Sequence, residues 1–554
     1  MSAASSSRRV GAEQLGARQR EISVAEFFVK NRHLLGFDSP SKAILTTVKE
    51  AVDNALDACE EAGLLPAVLV EIEPLGPGKY KVAVEDNGPG IVDEQLAKVF
   101  GKLLYGSKFH ALRQSRGQQG LGISAAGMYG QLTTGEPMRV LTRISPRRAA
   151  RELIVSVDTT RNRPQIHAKH RADWTIAHGT RVEIVLEGQY QHGQRSVEEF
   201  LRLTALANPH VRLELEQPNG ERVVFPRAIR KLPRVPTRVQ PHPHGVELGR
   251  LLAMLRESRR RTLSSFLQHE FSRVGSAAAA EILRSAGRRL RPGMHPHELS
   301  HRDAVALHRA LSSAKVSAPD SRCIAPIGEA TLLRGLRREV AAEFYVATTR
   351  QPAVYRGNPF VVEVALAYGK PGRPEPGARD LLGSADAPIT VLRFANRVPL
   401  LFAPGGCAIT RAATELNWRN YGLSQPSGAL PHGPMVVAVH LASVWVPFTS
   451  ESKEAIAPYP EIVRELQLAL AHCGRALAKH IRAHERERRA LTRLREIERY
   501  VPHIGAALQD ILELSDTARE RAQARLEASL TEQRAPTPGS STRKQAQHAP
   551  PASP

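Results

Sequence analysis

A predicted helix over residues 43–61 has two faces of opposite chemistry, and it constrains the fold more than any other segment. At about 100° per residue, one side of this helix is apolar and contains Leu45, Val48, Val52, Leu56 and Cys59. Glu50, Asn54 and Asp57 fall together on the other side, at spacings of four and three residues. The apolar side predicts packing on a sheet. The polar side predicts either a solvated surface or the wall of a pocket.

Three glycine-containing segments follow this helix. Asp86 ends a predicted strand and precedes Gly88 and Gly90, so its carboxylate can enter a pocket while the backbone turns sharply. Residues 117–124 place three glycines before a helix, where bare N–H groups can surround an anion. Gly179-Thr180 begins a later strand. The glycine loop fits neither a P-loop nor a βαβ dinucleotide motif, and each segment taken alone is compatible with an ordinary turn.

The 554 residues are enough for three or four domains. Strands are predicted at 68–73, 80–85, 139–144, 153–157 and 180–186, and further helices at 96–104 and 123–131. This mixture predicts an α+β layer structure through about residue 227. Residues 247–312 show helical periodicity alone, with breaks at Gly275, Gly287 and Pro292-Gly293. Strands return at 361–368, 389–395 and 435–443, and 459–498 predict a long charged helix.

The charge balance favours a polyanionic partner. Lys and Arg total 77 against 55 Asp and Glu, a formal net charge of +22, which suits nucleic acid or an anionic membrane surface. The four cysteines form no CxxC pair, which argues against a zinc site or disulfide framework and fits a reducing compartment. We expect no membrane-spanning segment and no secretory signal, since apolar runs of the required length do not occur.

Four of these elements, in this order, resemble the ATP-binding fold of the GHKL group, which includes gyrase B subunits, heat-shock chaperones, histidine kinases and mismatch-repair ATPases. They are Glu50-x-x-x-Asn54, Asp86-x-Gly88-x-Gly90, the loop 117–122 and Gly179-Thr180. Longer segments are similar to the B subunits of the topoisomerase VI family, over 23–28, 101–109, 116–122, 417–425 and 446–456. The resemblance covers roughly residues 22–515, and it explains neither the net charge nor the C-terminal tail.

The resemblance implies an α+β multidomain chain. Its parts would be a flexible N-terminal strap (1–22), a GHKL or Bergerat ATP-binding sandwich (23–228) and a small all-α helix-two-turn-helix module (229–315). An α/β transducer domain (316–475), C-terminal stalk helices (476–532) and a disordered tail (533–554) would follow.

The resemblance also implies roles for individual residues. The residue matching Glu50 polarises the water that attacks the γ-phosphate of ATP, and the residue matching Asn54 ligates Mg²⁺. The residue matching Asp86 accepts a hydrogen bond from the adenine amino group, and Lys453 matches a transducer lysine that touches the γ-phosphate. Further ATP contacts are implied for Ser107 and Lys108, and for the phosphate lid Gly117, Gln118, Gln119, Gly120, Leu121, Gly122, Ile123 and Ser124. For Asp57, a structural and a direct role stay open, and Trp418 and Tyr421 are expected in the transducer core.

The implied partners are a DNA-cleaving A subunit, a second copy of this chain and double-stranded DNA. Two A and two B subunits would form a heterotetramer, in which ATP binding dimerises the ATPase domains around a captured duplex. Supercoil relaxation and decatenation would follow in the cytoplasm, at the nucleoid and without a membrane. Two arginine clusters are candidate DNA contacts, with a solvated helix face as the alternative: Arg256 with Arg259, Arg260 and Arg261, and Arg288 with Arg289 and Arg291.

Other function classes are weaker. A GHKL ATPase that gates a chaperone or a repair clamp does not explain the helical module at 247–312 or the segment 417–425. A non-catalytic DNA-binding protein does not explain the intact Glu50, Asn54, Asp86 and Lys453. A histidine kinase is disfavoured because no histidine lies in a dimerising helix before the ATPase elements.

Overall fold

The computed structural model describes residues 12–17, 19, 22–106, 112–117, 120–369, 381–450 and 452–534. It separates into two units, Met1–Gly474 and Arg475–Pro554.

An eight-stranded sheet dominates the N-terminal half of the first unit. Its strands are β1 (Ala67–Gly76), β2 (Lys79–Asp86), β3 (Met138–Arg143), β4 (Ala150–Asp158), β5 (Arg163–Ala172), β6 (Gly179–Glu187), β7 (Arg212–Glu216) and β8 (Arg222–Phe225). The strand order is β5-β4-β3-β6-β2-β1-β7-β8. Neighbouring strands are antiparallel except β1 and β7, which run parallel. This order brings the end of β2, at Asp86, beside Thr180 at the start of β6.

Helices pack against this sheet. In this half of the chain they are α1 (Ala12–Gly16), α2 (Val24–Lys30), α3 (Pro40–Glu61), α4 (Asp93–Gly101), α5 (Gly122–Thr134) and α6 (Val197–Ala207). The apolar face predicted for residues 43–61 is confirmed, since Leu45, Val48, Val52, Leu56 and Cys59 are all buried. α3 and α5 contact each other, α3 also contacts β2 and β6, and α5 contacts β6. Glu50, on the polar face of α3, lies against Gly122 at the N-terminal end of α5.

A small group of helices follows the first sheet. It consists of α7 (Leu248–Glu257), α8 (Leu263–Glu270), α9 (Ser276–Ala286) and α10 (His301–Ser313). Its core is its own, built around Leu251, Phe266, Ile282 and Leu307. The breaks predicted at Gly275, at Gly287 and at Pro292-Gly293 fall between these helices.

A six-stranded sheet forms the rest of the first unit. Its elements are α11 (Glu329–Glu339), β9 (Phe344–Thr349), β10 (Ala353–Tyr355), β11 (Asn358–Tyr368), β12 (Thr390–Ala395), β13 (Val398–Pro399), α12 (Ala408–Glu415) and β14 (Met435–Ser443). The order is β10-β11-β14-β12-β13, and β9 also pairs with β11. Every residue of β14 is buried. Trp418 is fully buried as well, and its indole N–H donates to the carbonyl of Ala413 at 2.8 Å.

The two sheets share a hydrophobic cluster. Leu203 and Leu206 of α6 pack with Leu336 of α11 and with Phe394 and Ala438 of the second sheet. α6 therefore belongs to the cores of both sheets.

A helix of 53 residues, α13 (Pro460–Leu512), starts in the first unit. In the second unit it is followed by α14 (Asp516–Arg534), and Gln509 donates to Asp516 at 2.8 Å across the turn. α14 includes the first two residues of the predicted tail, 533 and 534. The remainder of that tail lies outside the described residues.

All four cysteines are buried, and none of them forms a disulfide. Burial raises the pKa of Cys323 to about 11, and burial with the nearby carboxylates of Asp86 and Glu60 raises the pKa of Cys59 further still. No helix in the described part of the chain is both long and apolar enough to cross a membrane.

Candidate active site

A cavity of about 620 Å³ lies between α3, α5 and the first sheet, a volume in the usual range for small-molecule sites. Ten of the residues predicted for the site line it: Glu50, Asn54, Asp86, Gly117, Gly120, Leu121, Gly122, Ile123, Ser124 and Lys453. Four others, Ser107, Lys108, Gln118 and Gln119, lie outside the described residues. Apolar side chains complete much of the wall, among them Leu35, Phe37, Val84, Ile91, Phe100 and Val182.

Asp86 sits at the end of β2 and is held by backbone donors. Its Oδ1 accepts hydrogen bonds from the N–H of Gly88 at 2.7 Å and of Thr180 at 3.2 Å. Burial raises the pKa of Asp86 to about 6, while these donors oppose the rise. A Cβ on Gly179 would lie 2.1 Å from the carbonyl oxygen of Asp86, so the close approach of β6 requires glycine at that position.

Glu50 and Asn54 lie one turn apart on α3 and both line the cavity. The N-terminus of α5 comes close to Glu50, since a Cβ on Gly122 would lie 1.8 Å from Oε2 of Glu50. Among the residues that the structure describes, no side chain caps α5, and the first three residues of this helix line the cavity. Its first N–H groups are therefore available as donors for an anion.

Ser124 lines the cavity, but its hydroxyl is engaged elsewhere. The hydroxyl donates to the backbone carbonyls of Val99 and Lys102, each at 3.2 Å. Any contact of Ser124 with a ligand would therefore come from its backbone, or would need this pairing to break.

Lys453 reaches the cavity from the loop after β14. It is 7% exposed, has a φ of +55°, and its Nζ donates to the carbonyl of Arg116 at 3.1 Å. Lys49 holds the same loop against α3 by donating to the carbonyl of Ser452 at 2.8 Å. Lys42 pairs with Glu454 at 3.2 Å. Two lysines of α3 thus fix the loop that contains Lys453.

Asp53 adds a buried carboxyl next to this loop. It is 2% exposed, and its Oδ2 has no hydrogen-bond partner within the described residues. Burial raises the pKa of Asp53 to about 7, against the positive charge of Lys453. Burial also lowers the pKa of Lys49.

Asp57 does not line the cavity. It is buried, and it pairs with the guanidinium of Arg116 at 2.8 Å, which fits the structural role left open in the sequence. Tyr421 is not among the residues that line the cavity, and its ring contacts that of Trp418 with centroids 6.0 Å apart.

The sequence provided no reason to select Leu35 or Phe37, because no motif marks single apolar residues that close a pocket. Arg116 was part of a matched segment, but nothing in the pattern indicated that its side chain is buried among carboxylates.

The amide of Asn54, which lines the cavity, offers a neutral oxygen to a bound Mg²⁺. Among the described residues, no three His, Cys, Asp or Glu side chains gather in a metal-binding cluster. This donor set suits Mg²⁺ that takes its other ligands from phosphate oxygens and water.

Two family models match the chain. Residues 40–188 match the model described as histidine kinase-, DNA gyrase B-, and HSP90-like ATPase. Residues 319–493 match the model described as topoisomerase VI B subunit, transducer. The first range contains α3, Asp86 and the glycine loop, and the second contains Lys453.

Curated relatives extend this likeness along the chain. A protein of Methanococcoides burtonii, named as the B subunit of type 2 DNA topoisomerase 6, is 48% identical over 91% of this chain and 79% of the relative. Proteins with the same name are 46% identical in Methanosarcina mazei, over 91% and 79% of the two chains, and 44% identical in Archaeoglobus fulgidus, over 92% and 83%.

Proposed function

Because the chain belongs to the family of type 2 DNA topoisomerase 6 B subunits, we propose that it is the ATP-hydrolysing subunit of a type IIB DNA topoisomerase. Together with a DNA-cleaving A subunit it would drive double-strand passage, relaxing supercoils and decatenating DNA. The cavity supports this most directly, since Glu50, Asn54, Asp86, the glycine loop and Lys453 all line it.

Hydrolysis needs a group that orients water. Glu50 is the carboxylate at the N-terminus of α5, where donors for phosphate oxygens are grouped. A carboxylate in this position can orient the attacking water and accept its proton. The ammonium of Lys453 would neutralise negative charge on the γ-phosphate during transfer.

Adenine would be selected at Asp86. An ionised carboxylate only accepts hydrogen bonds, so it favours a base edge that presents an amino group. The backbone N–H groups that hold its Oδ1 leave the other oxygen for the ligand. Asn54 would hold Mg²⁺, which supplies positive charge at the phosphates. Ser107, Lys108, Gln118 and Gln119 stay predicted ATP contacts.

Lys453 would report the nucleotide state to the second sheet. It lies in the loop after β14, so loss of the γ-phosphate removes a contact that this loop makes with the ATPase domain, and the domain that contains the loop can then reorient. We propose that ATP binding dimerises two such subunits in a heterotetramer of two A and two B subunits. The cleaving tyrosine would belong to the A subunit.

DNA contacts are proposed for the two arginine clusters of the helical module. The N–H groups of Leu263 and Ser264 donate to the carbonyls of Met294 and Pro292 at 2.7 and 3.0 Å. These bonds bring the segment 259–261 beside the segment 288–291. All seven arginines of the two clusters are exposed, so they can form one basic surface for DNA phosphates.

The domain boundaries after 22, 228, 315, 475 and 532 stay proposals. The separate apolar core of the helical module supports the boundaries after 228 and 315. We also propose action at the nucleoid, in the cytoplasm.

Light scattering of the purified chain tests the ATP-gated dimer. With a non-hydrolysable ATP analogue and Mg²⁺, the mass should rise from 60.7 kDa to twice that value. Asn54→Ala should abolish the shift because it removes the Mg²⁺ ligand. Glu50→Ala should keep the shift and lose ATP turnover, because it removes the group that orients water while leaving the nucleotide contacts in place.

A chain that binds the analogue without changing mass would contradict the gate and favour a GHKL ATPase whose dimerisation does not depend on nucleotide. Normal turnover by Glu50→Ala would remove Glu50 from the mechanism. Relaxation of a plasmid after addition of the A subunit tests the topoisomerase activity itself.

A further inference from the structure

Arg116 lies directly before the glycine loop, and its guanidinium is almost wholly buried, at 3% exposure. It donates to Asp57 at 2.8 Å, to the two oxygens of Glu60 at 2.7 and 2.9 Å, and to Oδ1 of Asn208 at 2.6 Å. Burial alone would lower the pKa of Arg116, but Glu60 and Asp57 reverse this and raise it. The side chain therefore stays charged and is fixed at three points.

Two of these three points lie on α3, the helix that also contains Glu50 and Asn54. Burial would raise the pKa of Glu60, but Arg116 and then His210 outweigh it and hold that pKa far below its usual range. A buried charged pair of this kind costs desolvation, which only good geometry and further hydrogen bonds recover. The buried charged contacts of Arg116 hold the start of the glycine loop against the polar side of α3.

The backbone of Arg116 has a second task. Its carbonyl oxygen accepts the hydrogen bond from Nζ of Lys453. The same residue thus locates the start of the glycine loop through its side chain and the ammonium of Lys453 through its carbonyl.

Asn208, the third group that holds Arg116, connects it to the second sheet. Nδ2 of Asn208 donates to the carbonyl of Arg397 at 3.1 Å, and the N–H of Arg397 donates to Nε2 of His440 at 2.9 Å. Nδ1 of His440 lies 2.8 Å from Oε2 of Glu363, and both side chains are fully buried in β14 and β11.

Ser115, the residue before Arg116, also contacts this part of the second sheet, since Nδ2 of Asn396 donates to its carbonyl at 3.2 Å. A shift of residues 115–116 would therefore displace the turn between β12 and β13.

We propose that Arg116 is a positioning residue for ATP hydrolysis: it seats Lys453 at the γ-phosphate position and ties the start of the glycine loop to the second sheet. This inference rests on the proposed ATPase function. It predicts that the effect of Arg116 on turnover passes through Lys453.

The test is a double-mutant cycle on ATP hydrolysis by the full chain. Arg116→Lys keeps the charge but cannot reach Asp57, Glu60 and Asn208 together. We expect kcat to fall about tenfold or more, since a shift of about 1 Å at a reacting group has effects of that size, while KM for ATP changes much less. In a Lys453→Ala background, Arg116→Lys should cause no further loss.

Arg113→Lys is the matched control, because Arg113 lies three residues earlier, is half-buried, and within the described part of the chain forms an ion pair with Glu61 alone, at 2.9 Å. It should hydrolyse ATP as the parent does. Asn208→Ala removes one of the groups that hold Arg116 and leaves both carboxylates. It should show a smaller loss of kcat, and again no further loss in a Lys453→Ala background. This variant provides the same test if Arg116→Lys fails to fold.

Full turnover by both Arg116→Lys and Asn208→Ala, or losses that add to that of Lys453→Ala, would overturn the inference while the parent's activity leaves the proposed function intact. A parent chain that does not hydrolyse ATP would overturn both.

Discussion

At the scale of single residues, the site depends on close approaches that only certain side chains permit. Asp86 is an example, because it is buried and yet held by two N–H groups on one oxygen. Its other oxygen is left for a ligand. Burial also raises its pKa to about 6, so the carboxyl changes its protonation state within a pH range that is easy to study.

Asp86→Asn should separate these two properties. The amide oxygen can still accept from Gly88 and Thr180, so the fold should be kept, but the amide N–H₂ would face the adenine amino group and ATP binding should weaken by about tenfold or more. The parent gains stability from a protonated Asp86 at low pH and loses it as the pH rises through about 6. Measured without nucleotide, the free energy of unfolding of the variant minus that of the parent should thus increase from pH 5 to pH 7, by on the order of 1 kcal/mol.

The exposed Asp173 provides the control for this measurement. Asp173→Asn makes the same chemical change at an exposed position, so it shows how much of the measured pH dependence is unrelated to burial. A constant difference for Asp86→Asn would contradict the assignment of a raised pKa to this carboxyl.

At the scale of elements, the decisive contact is that of the N-terminus of α5 with α3. Gly122→Ala would push a methyl group into the carboxylate of Glu50, the residue proposed to orient water. Because Glu50 must turn away, kcat for ATP hydrolysis should fall by about tenfold or more. The melting temperature should stay close to that of the parent, since alanine is a better helix residue than glycine.

Gly249→Ala is the matched control, because Gly249 lies in α7 with open space around it. Its hydrolysis rate should equal that of the parent. An unchanged rate for Gly122→Ala would show that Glu50 can act from another position.

The elements that the sequence predicts well are those with an apolar face or an apolar run that becomes buried. α3 was expected at 43–61 and forms Pro40–Glu61, and the buried strand β14 was expected with its observed bounds. α4 was expected at 96–104 but forms Asp93–Gly101, because the chain turns out of the helix and Leu104 takes a φ of +57°. β5 was missed, since this edge strand is exposed along most of its length and lacks an apolar alternation.

The site was predictable wherever residues of one motif meet within one element. Glu50 and Asn54 share a helix face, so the pattern itself brought them together. The link from Arg116 through Asn208 to His440 begins with two residues that are 92 positions apart, and no spacing in the sequence encodes such a contact.

At the scale of the whole molecule, the proposed route from ATP turnover to DNA passage runs through Lys453, whose loop follows β14 of the second sheet. The family resemblance that led to this view is confirmed by relatives that match 91% of the chain. Its ATP-binding fold is confirmed by the matched model over 40–188.

Lys453→Ala should therefore weaken coupling more than binding. We expect the affinity for a non-hydrolysable ATP analogue to change by about threefold or less, and the strand passages per ATP to fall by about tenfold, within the range of free energies that couple two sites. Plasmid relaxation with the A subunit, measured alongside ATP consumption, provides this ratio. An unchanged relaxation rate would exclude Lys453 from the relay.

The four buried thiols have a practical consequence for following such motions. A thiol that solvent does not reach is a poor target for a reagent in solution, so the four buried native cysteines should react slowly with maleimide dyes while the chain stays folded. Single cysteines introduced on the surface could therefore be labelled in an otherwise wild-type sequence. Distances between two fluorophores would then follow the opening and closing of a dimer in real time, with every native residue of the active site in place.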